Sequence, residues 1–177
     1  YLGAGPKQFM EGLVENISGQ QVAAIDEILA AAPKKVYILL GTNSMATLTD
    51  EAFLKYYNDF LDFLLPQLPQ DTVYYIQGIP PVSAEKMAGD ENFSVERIRG
   101  LNENLAKIAY DRDLHYLDLF SALADENGNL DKRYTLDGLH LKVLQVNDTT
   151  TLVNAYNNAS IVLRLWDKRK SLLMLGD

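Results

Sequence analysis

The chain has 177 residues, enough for one α/β domain over 1–177 with its own core. It has no cysteine, which excludes disulfides, thiolate metal sites and a cysteine nucleophile. Its net charge of −8 argues against nucleic-acid binding, and no apolar run is long enough for a membrane-spanning helix.

Tyr1–Pro6 reads as a glycine-rich loop, too short and proline-broken for a phosphate cradle. Lys7–Gly12 reads as a short helical turn. Leu13–Ile17 reads as a short strand, or as a continuation of that helix, ended by Ser18-Gly19. Gln20–Ala32 is predicted helical, because Val22, Ile25, Ile28 and Leu29 recur at helical spacing before Pro33. Lys35–Leu40 (KVYILL) is a nearly continuous apolar run between Pro33 and Gly41, as expected of a parallel strand buried on both faces. Thr49 or Asp50 can cap a helix running to Leu65, with Pro66 just beyond. Thr72–Ile76 is the next strand, Glu96–Asp111 a long amphipathic helix, and Leu114–Phe120 a further strand. Asp125–Asn129 is a turn. Thr149–Trp166 reads as a helix and Lys170–Asp177 as a last short strand ending in Gly176-Asp177. Helices and strands alternate with no hairpin signal between core strands, which argues for a doubly wound α/β sheet.

Three places can carry chemistry. In Asp137-Gly138-Leu139-His140 an acid precedes a histidine by three residues, so one loop can hold a carboxylate against an imidazole, fixing its tautomer and stabilising the imidazolium. The alternative is a surface turn. Gly41-Thr42-Asn43-Ser44 follows a buried strand, where ligands of open α/β sheets bind and where a side-chain amide can donate to a developing oxyanion. The alternative there is a polar turn. Gly176-Asp177 ends an apolar strand and says little alone. His115 reads as a packed or edge histidine rather than a ligand; with two histidines and no cysteine, no metal site is expected. The ten tyrosines, including Tyr56-Tyr57 and Tyr74-Tyr75, read as half-buried packing residues or as the lining of a sugar cleft.

Together, Gly41-Thr42-Asn43 after a central strand and Asp137-Gly138-Leu139-His140 near the end of the α/β region resemble the third and fifth sequence blocks of the SGNH (GDSL-type) serine esterases. Leu172–Asp177 resembles the first block, a strand running into Gly-Asp-Ser, with Gly176 and Asp177 at the nucleophile elbow and the serine expected next. Asn16-Ile17-Ser18-Gly19 resembles the second block, making Gly19 the candidate oxyanion-hole glycine and Gly5 the alternative. Three features depart from the family pattern: Ser44 stands where the family has Asp, the block order is rotated, with the first-block-like strand last, and the sequence shows no serine following Asp177.

The resemblance implies a three-layer α/β/α fold with a mostly parallel, five-stranded, flavodoxin-like sheet. It implies ester hydrolysis through an acyl-serine intermediate, with no metal or cofactor. His140 would act as the base, Asp137 would orient it, and Asn43 and Gly19 would hold the oxyanion. The expected substrate is a small acyl, preferably acetyl, ester on a carbohydrate, or another small-molecule ester. The implied setting is secreted or cell-envelope rather than cytoplasmic, and the oligomeric state stays open. Ser18 and Ser44 are the fallback hydroxyls. The reading from a different class is a non-catalytic domain of this fold that binds a glycan or a protein partner.

Overall fold

In the computed structural model the described residues are 5–11, 13–15, 18–141, 164–167 and 170–175. They form α1 (Pro6–Glu11), β1 (Leu13–Glu15), β2 (Gln21–Ala23), α2 (Ala24–Ala31), β3 (Lys35–Ile38), α3 (Thr42–Met45) and α4 (Asp50–Leu64). After a single 3-10 turn come β4 (Val73–Gln77), α5 (Ala84–Gly89), α6 (Val95–Asp111), β5 (His115–Leu117), α7 (Leu119–Leu123), β6 (Arg164–Asp167) and β7 (Lys170–Leu175).

The main sheet has five strands in the order β5-β4-β3-β7-β6. The first four run parallel, and β6 closes one edge antiparallel to β7. The expected mostly parallel five-stranded sheet is thus observed. The β6–β7 pair is nevertheless a hairpin, which the sequence did not signal, and Arg164–Trp166 is strand rather than the end of a helix. The rest of that expected helix, and Gly176 and Asp177, lie outside the described residues.

One face of the sheet carries Val36 and Ile38 of β3 and Tyr74 and Ile76 of β4, all buried. Against them pack Phe53, Tyr57, Phe60, Leu61 and Leu64 of α4 and Ile98, Leu101, Leu105 and Ala109 of α6. Burying side chains of this size stabilises a fold by about 1.5–3 kcal/mol each. The opposite face is only half-covered at Tyr37 and Tyr75, whose rings stack at 4.4 Å, with His115 stacked on Tyr75 at 4.8 Å. β3 is therefore fully buried on one face rather than two. Tyr57 and Tyr74 are buried and Tyr75 is engaged in this ladder, so these tyrosines act as packing residues.

The helices begin where side chains can take up their free amide groups. Thr49 accepts from the Ala52 N–H at 3.3 Å at the start of α4, and Ser94 accepts from the Arg97 N–H at 3.1 Å at the start of α6. Two expected elements are divided. The predicted helix over Gln20–Ala32 begins only at Ala24, because Gln21–Ala23 pairs antiparallel with Leu13–Glu15. The predicted strand over Leu114–Phe120 stops at Leu117, because Asp118 accepts from the Ser121 N–H at 3.0 Å and starts α7. Among the described residues no helix is long and apolar enough to cross a membrane.

Candidate active site

The loop that follows β4 touches both the turn after β3, through Ile79 and Gly41, and the loop bearing Asp137 and His140, through Ser83 and Gly138. Gly41 turns the chain from β3 into α3 with φ +151°, a region that disfavours side chains. A Cβ on Gly41 would lie 2.6 Å from both Cγ1 and Cδ1 of Ile79, so the β4 loop packs directly on the backbone that leads into Asn43. Ile79 is held in turn by Asn102 of α6. Its N–H donates to Asn102 Oδ1 at 2.7 Å, and its carbonyl accepts from Asn102 Nδ2 at 2.9 Å. Farther along the same loop, the Ser83 N–H donates to the Gly138 carbonyl at 2.8 Å. Gly138 has φ +83°, and a Cβ there would overlap Ser83 Oγ. Glycine is thus required at the centre of the acid–histidine loop both by conformation and by the approach of Ser83.

Within that loop both carboxylate oxygens of Asp137 are engaged. One carboxylate oxygen, Oδ1, accepts from the backbone N–H of His140 at 2.8 Å and of Leu139 at 3.0 Å. The other, Oδ2, is bonded to Nδ1 of His140. Burial pushes the Asp137 carboxyl up, but the His140 N–H, the imidazole and the Leu139 N–H together outweigh it and bring the pKa down to about 2. Thr135, itself buried, braces the turn: its hydroxyl donates to the His140 carbonyl at 2.8 Å and accepts from the Gly138 N–H at 2.9 Å. With Nδ1 engaged, Nε2 is the ring nitrogen left to exchange a proton, the arrangement a general base requires.

Asn43 lies in α3, a four-residue helix, rather than in the polar turn of the alternative reading. Ser44 beside it is only 6% exposed, which removes it as a surface hydroxyl. Gly19 is exposed and sits in the β1–β2 hairpin turn with φ +74°, not in a strand-to-helix turn, and nothing lies within 4 Å of where its Cβ would be. Ser18 is exposed in the same turn. Gly5 is buried and its carbonyl accepts from the Phe9 N–H at 3.3 Å, opening α1. Strand β7 lies parallel to β3 in the register Ile38↔Leu175, so both strands stop at the same level of the sheet. Among the described residues no group of three or more His, Asp or Glu side chains is placed to hold a metal.

Sequence reasoning missed Thr135, Ser83 and Asn102. Asn102 left a signal: it occupies the apolar face of α6 with Ile98, Leu101, Leu105 and Ala109, where a polar side chain needs a partner.

The profile of the GDSL-like lipase/acylhydrolase family matches residues 6–144. The chain belongs to this family. Solved structures agree on the fold. A protein from Streptococcus pneumonia described as a platelet activating factor is 24% identical, with a TM-score of 0.57 over 67% of this chain and 60% of that one. An acylhydrolase from Bacteroides fragilis is 17% identical, with a TM-score of 0.59 over 78% of this chain and 62% of that one. A GDSL-like lipase from Bacteroides thetaiotaomicron is 14% identical, with a TM-score of 0.57 over 79% and 64%. The chain thus spans less than two thirds of the length of each of these structures. A sequence search of curated proteins gave no match. The GDSL-family chain shares the α/β fold of these neighbours, and its mostly parallel sheet flanked by helices is consistent with the three-layer α/β/α architecture.

Proposed function

We propose that this GDSL-family protein hydrolyses esters through an acyl-serine intermediate. The observation that carries the reading is the Asp137 carboxylate on Nδ1 of His140, in a loop stapled through Ser83 and Ile79 to the turn leading into Asn43. The attacking hydroxyl belongs to a serine succeeding Asp177. The shared register of β3 and β7 supports this, because Leu175, the last residue of β7, pairs with Ile38, the last residue of β3. His140 takes the serine proton through Nε2 as the hydroxyl oxygen attacks the ester carbonyl, and later delivers it to the leaving alcohol. Asp137 keeps the imidazole in the required tautomer and balances its charge while it is protonated. Asn43 and a backbone N–H, with Gly19 the preferred candidate and Gly5 the alternative, donate to the tetrahedral oxyanion. Water then repeats the sequence on the acyl-enzyme.

The preferred substrate is an acetyl ester of a carbohydrate. The exposed border of the dyad loop is polar: Lys132 pairs with Glu85 at 2.9 Å and Arg133 with Asp131 at 2.8 Å, surroundings that suit a hydroxyl-rich alcohol. The test is intact-mass analysis of the full-length protein after treatment with a fluorophosphonate, alongside turnover of a small acetyl ester. A single adduct on the serine after Asp177, lost together with turnover in His140→Ala, is the expected result. An unlabelled, inactive protein would move the assignment to a non-catalytic domain that binds a glycan or a protein. Turnover undiminished in His140→Ala would remove the proposed base.

A further inference from the structure

Arg97, in the first turn of α6, touches none of the candidate catalytic groups, yet its guanidinium gathers the chain just beyond Asn43. Nη1 donates to the Met45 carbonyl at 3.0 Å and to the Asn92 carbonyl at 2.7 Å. Nη2 donates to the Leu48 carbonyl at 2.8 Å, and Nε to Asp50 Oδ1 at 2.7 Å. The Arg97 side chain is only 20% exposed, so these charge-assisted bonds are shielded from competing water.

Met45 is the last residue of α3, two positions after Asn43. A helix of four residues cannot hold itself together, since its nucleation cost exceeds what so few internal bonds return. Its last carbonyls have no partner inside the helix, and a cation placed there satisfies them and opposes the helix dipole. α3 is therefore held from both ends. Ile79 wedges against Gly41 at its start, and Arg97 ties down Met45 and Leu48 at its finish. Asp50, in the first turn of α4, fixes the orientation of the guanidinium.

We infer that Arg97 is a positioning residue that sets where the Asn43 amide points during catalysis. The inference rests on the proposed role of Asn43 as an oxyanion donor. Such a donor works only while it is aimed at the developing charge, and displacement of about 1 Å can cost roughly a hundredfold in rate. Arg97→Met keeps the apolar stem and removes every donor. Arg97→Lys keeps the charge but cannot span three carbonyls with one compact ammonium.

The test is a double-mutant cycle in the full-length protein, with Asn43→Ala as the second substitution. Arg97→Met is expected to lower kcat by about tenfold to a hundredfold while KM changes by less than about twofold, because ground-state contacts are untouched. In the Asn43→Ala background the same change is expected to have almost no further effect, since the group it positions is gone. Equal effects in both backgrounds would overturn the proposal, as would a kcat unchanged by Arg97→Met. Should Arg97→Met fail to fold, Arg97→Lys and Asp50→Asn carry the same cycle with smaller expected losses. A second readout separates this inference from the esterase reading. In Arg97→Lys the side-chain amide resonance of Asn43 is expected to shift or broaden while that of the exposed Asn104 stays in place. An unmoved Asn43 resonance would overturn the proposal even for a protein with no esterase turnover, whereas a moved resonance in an inactive protein would refute only the proposed function.

Discussion

Gly138→Ala should destabilise the protein through two separable effects, and the structure supplies the means to separate them. The first is conformational: φ at Gly138 is +83°, and an L-residue there costs about 1–2 kcal/mol. The second is steric: the new Cβ overlaps Ser83 Oγ and lies 3.0 Å from Ser83 Cβ, and overpacking of this kind costs about 1–3 kcal/mol. The single substitution should therefore cost about 2–5 kcal/mol. Ser83→Ala removes the overlapping oxygen. It also removes the side chain that accepts from the Lys86 N–H at 3.2 Å and caps α5, at a cost of about 1 kcal/mol on its own. In the Ser83→Ala background, Gly138→Ala should then cost only about 1–2 kcal/mol. Urea unfolding of the four proteins, followed by far-UV circular dichroism, gives the coupling directly. Strict additivity would refute the claim that Ser83 is what excludes a side chain at Gly138. A loss below about 1 kcal/mol in the single variant would refute the conformational argument as well.

Two further outcomes follow from the same geometry. Asn102→Leu removes both bonds to Ile79 and leaves a buried N–H and carbonyl unpaired, so it should cost about 2–5 kcal/mol, whereas Asn102→Asp, which keeps the acceptor, should cost less; equal losses on thermal unfolding would contradict the two-bond description. The Asp137 carboxyl, lowered to about 2 from an ordinary value of 3.8, contributes stability that is complete above about pH 4 and lost as pH falls through about 2. A carboxyl carbon titration by NMR should give a midpoint near 2, and Asp137→Asn should flatten the acid limb of the stability profile; a midpoint near 4 would remove the contribution assigned to the dyad loop.

The sequence makes the parallel strands of the sheet and its two large helices legible because their signals are local, whereas β6 is missed because its residues read as the end of a helix. Lys35–Ile38 and Val73–Gln77 are apolar runs bounded by breakers, and α4 and α6 show both periodicity and capping residues. Gln21–Ala23 is misread because what makes it a strand is its partner, Leu13–Glu15, rather than its own pattern, in which Val22 and Ile25 mimic a helix. Phe120 continues an apolar run and so conceals the helix start that Asp118 provides. At the site, Asp137 and His140 are readable because acid and imidazole share one loop. Arg97 is hidden for the opposite reason. Its partners Met45, Leu48 and Asn92 are backbone carbonyls, which carry no residue identity, and the elements bearing them come together only in three dimensions.

The position of β7 also has a consequence for how the chain reaches this structure. Val36 pairs with Leu173, and β4, α6 and the dyad loop all lie between them in sequence. A ribosome therefore releases β3, β4 and β5 long before the strand that completes β3's inner edge. Until β7 arrives, that edge presents unpaired N–H and carbonyl groups to any other extended chain. The entropy of closing so long a loop must be met before the pairing returns any stability, which makes docking of β7 a late step and the open β3 edge the point where a nascent chain is most exposed to aggregation.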